Sequence, residues 1–346
     1  MTQAMAVKEM AVAAGHQIVA VTLGVSRHRP VPEYFESAMK IPVQQLPTLE
    51  FKYKDNRSVS NTATLLGVFA NLPKYARLLR KFDEIVQAAQ PDVIINFFEP
   101  IAAFYSLTRR RRPPVVAIGH QFMFQHPGYV RAPHLWKQLF SMRVYTWLLG
   151  ARATKLALSF YEAPDLPDKR IIVCPPILRK QLFDLNPNPA GDFTLIYLLN
   201  HGYAEQIIRW SDAHPEARLH CFYDKPGAPA SLDHSAALTF HRLDGEKFLK
   251  MMAECRNVVC TAGFESVSEA AWLGKPLLLV PVENHVEQEV NAIDAQQFGI
   301  GLAEKTFNLD RLAELPVRLP VEKFRAWMAC GPGKLFQAIE RAAGKT

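Results

Sequence analysis

NVVCTAGFESVSEAAWLGKPLLLVPVENHVEQEVNA, residues 257–292, is the stretch whose reading decides the fold. A short β-branched run ends at a glycine, a helical pattern follows, and Gly274-Lys275-Pro276 closes it before the buried run LLLV. The polar loop VENH then opens a second helix. Gly263 is expected to let the backbone turn sharply where the first strand ends. The helix after it points free amides away from the strand, with Ser266 and Ser268 on its first turn, an arrangement that favours a phosphate. Glu269 lies one turn further in, where a carboxylate can accept two hydrogen bonds from a diol such as ribose. SVSE and TAGFE are also acceptable capping patterns, so a plain helix cap remains an open reading.

Outward from this stretch the same alternation recurs. FTLIYLL, LHCFYD, ALTFHRL and PLLLVPV read as strands in the second half of the chain. HQIVAVTL (16–23), DVIINFF and PVVAIGH read so in the first, with YARLLRKFDEIVQAAQ as an amphipathic helix. Short apolar strands alternating with helices mean parallel sheets with crossover helices. At 346 residues the chain exceeds one ordinary core, so two such domains are expected. LFDLNPNPAGDF (182–193) has a linker's composition, placing an N-terminal domain at 1–185 and a C-terminal domain at 186–346. The last helix is a candidate to pack back on the first domain. Two Rossmann-like domains face to face would leave a cleft at the strand carboxyl ends.

Composition excludes several classes. Hydrophobic residues make up 49% of the chain, and no apolar run reaches the roughly 18–20 residues of a membrane span. Lys8 and Glu9 interrupt the Ala- and Met-rich start, which argues against a signal peptide. The five cysteines lack metal-ligand or disulfide-framework spacing, and a reducing cytoplasm is expected. Residues 1–185 carry 24 Lys and Arg against 13 Asp and Glu, whereas 186–346 carry 16 against 20. The basic half, densest at Arg109–Arg112, is suited to something anionic; no nucleic-acid-binding motif accompanies it.

The 257–292 stretch resembles the donor-binding region of the GT-B nucleotide-sugar glycosyltransferases. It is especially similar to that of the lipid-linked N-acetylglucosaminyltransferase of peptidoglycan synthesis and its uncharacterised bacterial and archaeal relatives. The resemblance implies that Gly263, Phe264, Ser266 and Ser268 hold a diphosphate and Glu269 the ribose. It implies that Glu287-Gln288, with Asn284 and His285 beside them, meet the donor sugar. LLNHGY (198–203) closes the second domain's first strand, and there Asn200, His201 and Gly202 would touch the donor phosphates. In the first domain, PDVIINFFEP (91–100) and VVAIGHQF (115–122) resemble the same group more loosely. Glu99 and His120 are the candidate general bases there. The family's Asp nearer the start of that loop is replaced by Asn96 and Phe97.

In this group the first strand ends in a glycine-rich loop just before a helix much like MTQAMAV. The chain as given is therefore expected to begin after a strand and loop that lie upstream, so that the first domain lacks its first strand. Leu135, Trp136, Leu139, Phe140, Val144, Trp147 and Leu148 form an apolar stripe at helical spacing, interrupted by Arg131, Lys137, Arg143 and Arg152. Core packing and peripheral contact with a membrane surface are both consistent with it. The expected activity is transfer of a sugar from a nucleotide donor, a UDP-sugar, to an anionic or lipid-linked acceptor, without cofactor or obligatory metal, in the cytoplasm or at the inner membrane face. A non-hydrolysing UDP-sugar 2-epimerase and an inert nucleotide-sugar-binding protein are the alternatives.

Overall fold

The apolar runs become strands of three parallel sheets. A computed structural model of the chain describes residues 1–25, 31, 33–47, 53–54, 58–59, 72–109, 112–130, 132–199 and 201–344. Asn200, Arg110, Arg111 and Arg131, singled out above, lie outside the described residues. The chain divides into two units. One comprises Met1–Tyr129, Pro133–Arg179 and Ala329–Thr346; the other comprises Val130–Ala132 and Lys180–Met328.

The first unit opens with the helix Thr2–Ala13, which buries Ala6, Val7 and Ala11. Gly15, at φ +85°, ends it, and the His16 N–H reaches back to Ala11 O at 2.9 Å, as at a left-handed helix stop. β1 (Val21–Val25) then pairs in parallel with β2 (Val43–Pro47) across the helix Glu33–Met39. The strand expected over 16–23 starts later because the ladder opens at Val21↔Val43, while His16 stacks on Phe336 outside it. β3 (Tyr53–Lys54) and β4 (Ser58–Val59) form a short antiparallel pair. After the helix Leu72–Ala89 come β5 (Ile94–Asn96), β6 (Val115–Gly119), β7 (Thr154–Leu158) and β8 (Ile171–Cys174), a four-stranded parallel sheet. Helices Pro100–Thr108 and Trp136–Gly150 make its first two crossovers, and Gly331–Ala342 lies against β6, β7 and β8.

The β1–β2 pair and the β5–β8 sheet are separate ladders. Among the described residues, no strand pairs with the second edge of β1 or of β5. They share a core nonetheless. Leu46, Leu78, Phe82, Ile85, Ile101 and Tyr105 form one buried cluster, with Ala20 and Ile94 packed against it. Each such side chain contributes about 1.5–3 kcal/mol on burial.

The second unit is one seven-stranded sheet in the order β11-β12-β10-β9-β13-β14-β15. These are β9 (Thr194–Leu198), β10 (Leu219–Tyr223), β11 (Ser231–Asp233), β12 (Leu238–Arg242), β13 (Asn257–Cys260), β14 (Leu277–Leu279) and β15 (Gly301–Ala303). Only β11 runs antiparallel to its neighbour. β13 is buried at every residue, as a central parallel strand covered on both faces must be. All five cysteines are free thiols, four of them buried. Among the described residues, no helix is long and apolar enough to cross a membrane.

The 182–193 segment is a docked strap of the second unit. The Asn188 N–H donates to Ala253 O at 2.8 Å, and the buried Lys275 Nζ donates to Asn188 O and Cys255 O, each at 2.7 Å. Gly191 lies so close to the turn before β13 that an added Cβ would stand 2.4 Å from the Cys255 carbonyl carbon. Those are backbone atoms and cannot swing aside. Gly191→Ala is therefore expected to lower unfolding free energy by roughly 1–3 kcal/mol in urea titration, as overpacked sites do. An unchanged midpoint would mean that the strap is not docked in solution.

Candidate functional site

The winding of the second sheet locates its site. From β9 the chain moves outward through β10 to β12; it then returns to β13 on the other side of β9 and moves outward through β14 to β15. The crossovers therefore diverge between β9 and β13, and a crevice opens at the carboxyl ends of those strands. Three loops leave from that end: 199–203, 261–263 and 280–285.

The 261–263 loop turns at Ala262, which adopts φ +54°, while Gly263 is extended at φ −69°, ψ 131°. The sharp turn expected at Gly263 is thus made one residue earlier, by a buried alanine. Asn291, from the helix Val286–Phe298, holds it by donating from Nδ2 to Ala262 O at 3.1 Å. Among the described residues nothing excludes a side chain at 263, since an added Cβ would meet Ser266 Oγ at an ordinary 3.5 Å. Gly263 caps the helix Phe264–Trp272 without any side-chain cap hydrogen bond. Glu265 puts a negative charge on the first turn, so an anion there would rely on backbone amides and not on net charge.

The two serines separate. The Ser266 hydroxyl donates to Gly263 O at 3.1 Å and is only half-buried. Ser268 is fully buried, and its hydroxyl donates to Phe264 O at 2.7 Å, so it braces the helix from its inner face. Glu269 is also buried, at 2% exposure. Burial pushes the Cys260 thiol up to about 11, which leaves it a neutral packing group.

The 280–285 loop is braced by the residues expected to meet a sugar. Gln288 Oε1 accepts the Val282 N–H at 2.8 Å, and Asn284 adopts φ +60°, a conformation asparagine tolerates. His285 caps the next helix by accepting the Gln288 N–H at Nδ1. Much of His285 is exposed, but its inward edge is desolvated, which lowers its pKa below the usual histidine value and keeps Nδ1 an acceptor. Glu287 is half-buried on the helix's first turn. Tyr203 Oη, next to the exposed Gly202, accepts the Glu283 N–H at 3.2 Å and ties the first loop to the third. Ala262, Asn291 and Tyr203 carry no local sequence signal for these roles. Among the described residues, no group of three His, Cys, Asp or Glu side chains could hold a metal ion.

In the first unit, Asn96 closes the turn after β5. Its Oδ1 accepts the Glu99 N–H at 2.8 Å and its Nδ2 donates to Glu99 O at 3.1 Å, around Phe98 at φ +58°. Glu99 caps the helix Pro100–Thr108 with its side chain half-exposed. His120 is placed differently. It is buried at 2% exposure, with Nδ1 2.6 Å from Leu158 O and Nε2 2.8 Å from Tyr129 Oη. Leu158 O can only accept, so Nδ1 carries a proton, and Tyr129 can donate to Nε2. Nδ1 ties the turn after β6 to the end of β7, and Nε2 ties it to Tyr129.

Against this geometry, a family model described as glycosyl transferase family 1 matches residues 3–320. The chain belongs to glycosyl transferase family 1. Solved structures agree on the GT-B fold of this glycosyltransferase. The glycotransferase of kitacinnamycin matches at 17% identity and TM-score 0.64, covering 99% of this chain and 95% of that one. A UDP-glucosyltransferase from Polygonum tinctorium matches at 14% identity and TM-score 0.62, covering 99% and 95%. Acinetobacter baumannii MurG matches at 14% identity and TM-score 0.52, covering 99% and 90%. Comparison with curated protein sequences finds no match.

Asn291→Leu should cost about 1–3 kcal/mol, because the carbonyl of the strained Ala262 turn loses its buried donor. Chemical denaturation reads the loss. A variant as stable as the parent would show that the turn needs no such support.

Proposed function

We propose that this glycosyltransferase takes its sugar from a nucleoside-diphosphate donor, a UDP-sugar, bound by the second unit at the β9/β13 crevice. The observation that carries the reading is the start of the helix Phe264–Trp272, with a glycine at its N-cap, placed where the winding of the sheet reverses. The amides of Gly263, Phe264 and Ser266, with Gly202 opposite, hold the diphosphate and stabilise it as it departs. A neighbouring fold known as a UDP-glucosyltransferase supports the choice of nucleotide. Glu269, buried in the free chain, takes the ribose diol. Glu287 takes hydroxyls of the donor sugar, with Asn284, His285 and Gln288 shaping the loop around it. Ser268 supports the site from behind by bracing the helix.

The acceptor is an anionic or lipid-linked hydroxyl compound handled by the basic first unit. The carboxyl end of β5, at the edge of the four-stranded parallel sheet, is the place for chemistry. Glu99 stands at that end, partly exposed. It is better placed to reach an acceptor hydroxyl than His120, which is buried at 2% exposure.

Two substitutions separate binding from chemistry. Glu269→Ala removes a charge-assisted diol contact and should weaken UDP by roughly 1.5–3 kcal/mol in calorimetry. Unchanged affinity in a folded variant would sink the ribose assignment. By contrast, Glu99→Gln should leave UDP affinity intact and lower kcat about 10²–10⁴-fold. A full-rate Glu99→Gln enzyme would move the base elsewhere.

A further inference from the structure

The helix Trp136–Gly150 turns two faces outward in chemistry. Leu139, Thr146, Leu149 and Gly150 are buried. Trp136, Phe140, Val144 and Trp147 are exposed, at 64, 65, 49 and 60%. Their spacing of four, four and three residues puts them in one row along the helix. Three large aromatic side chains in water along one ridge form a far more apolar surface than scattered single residues do. The core-packing reading of this stripe therefore holds only for its inward members.

The helix is firmly seated, so the row is displayed on a fixed support. Arg143 Nε donates to Phe124 O at 3.0 Å, the Tyr145 ring meets Phe98 edge-on at 5.7 Å, and Gly150 is closely packed by Lys155 and Phe122. Charge around the row is of one sign. Residues 100–161 contain no Asp or Glu and nine Lys and Arg. Lys137, Arg143 and Arg152 are exposed, and among the described residues none has a carboxylate partner. Lys137 Nζ lies 5.4 Å from the centre of the Trp136 ring, a cation held beside the aromatic row.

We infer that this ridge docks the first unit on an anionic lipid bilayer, with Trp136, Phe140 and Trp147 in the headgroup–acyl boundary and Lys137, Arg143 and Arg152 on the lipid phosphates. A convex row of amphipathic aromatics flanked by basic side chains suits an interface that is apolar within and negative at its surface. A second copy is a poorer occupant, because a self-complementary contact would bring two acid-free, basic surfaces together. The inference is independent of the donor reading, since every residue it uses lies in the first unit.

Sedimentation with vesicles tests it. The full chain should bind vesicles containing about one-third phosphatidylglycerol at least tenfold more tightly than pure phosphatidylcholine, with the difference shrinking as salt rises. Tryptophan emission should shift to the blue on binding and be quenched by brominated lipid. Phe140→Ser with Trp147→Ser should weaken partitioning about tenfold or more, leaving UDP affinity and melting temperature unchanged, because both side chains stand in water. Lys137→Glu with Arg152→Glu, which removes no apolar area, should weaken anionic binding alone. Failure of the parent chain to bind anionic vesicles would overturn the inference. So would a parent dimer that the Phe140/Trp147 variant dissociates, since the ridge would then be a contact between copies.

Discussion

A parallel sheet can be extended only by crossing over it, and because crossovers are right-handed, covering both of its faces requires the chain to leave its first strand in one direction and then return on the other side. Nearly everything in the second unit follows from that constraint. β9 and β13 are neighbours whose connections diverge, which opens a crevice at their carboxyl ends. Loops leave both strands at that end, and the 280–285 loop is drawn in by the Tyr203–Glu283 hydrogen bond. The site is thus a consequence of topology, and the side chains refine what the winding has already opened.

The refinement rests on one turn. Ala262 in a left-handed conformation costs about 1–2 kcal/mol, and Asn291 holds it in place from the facing helix. That turn ends β13 and starts the helix Phe264–Trp272 with Gly263 as its N-cap. A glycine offers no capping side chain, and the helix is held instead by burial of Phe264, Val267, Ala270 and Ala271.

The strands and helices of the second unit were legible because their apolar runs are short, β-branched and bounded by Gly and Pro. Burial on both faces leaves a parallel strand such as LLL (277–279) no polar residue to confuse the pattern. The site was legible in outline only. Sequence cannot say which face of SVSEAAW turns inward, so Ser266 and Ser268 read alike although only Ser268 is buried. Gly263 drew the turn to itself because glycine is the usual left-handed residue; Asn291, distant in sequence, permits an alanine there. The same blindness affects the Trp136–Gly150 helix. An apolar stripe has the same period whether it faces a core or solvent, and only the packing of Leu139 and Leu149 beneath it decides.

The two units differ in how far their strands are supported. β13 has a parallel partner on each side through to Cys260, so its carboxyl end and the turn at Ala262 are positioned by two ladders and a helix. Among the described residues β5 pairs with β6 alone, over three residues, and its loop is held by the Asn96–Glu99 pair of hydrogen bonds and by Phe98 against Phe122. Preorganisation is therefore strongest where a diphosphate would be stabilised and weaker where an acceptor hydroxyl would be received. That division suits a transferase in which a fixed electrostatic site serves one donor class. Acceptor selection would then fall to the first unit, where fewer ladder bonds oppose adjustment of the loop carrying Glu99.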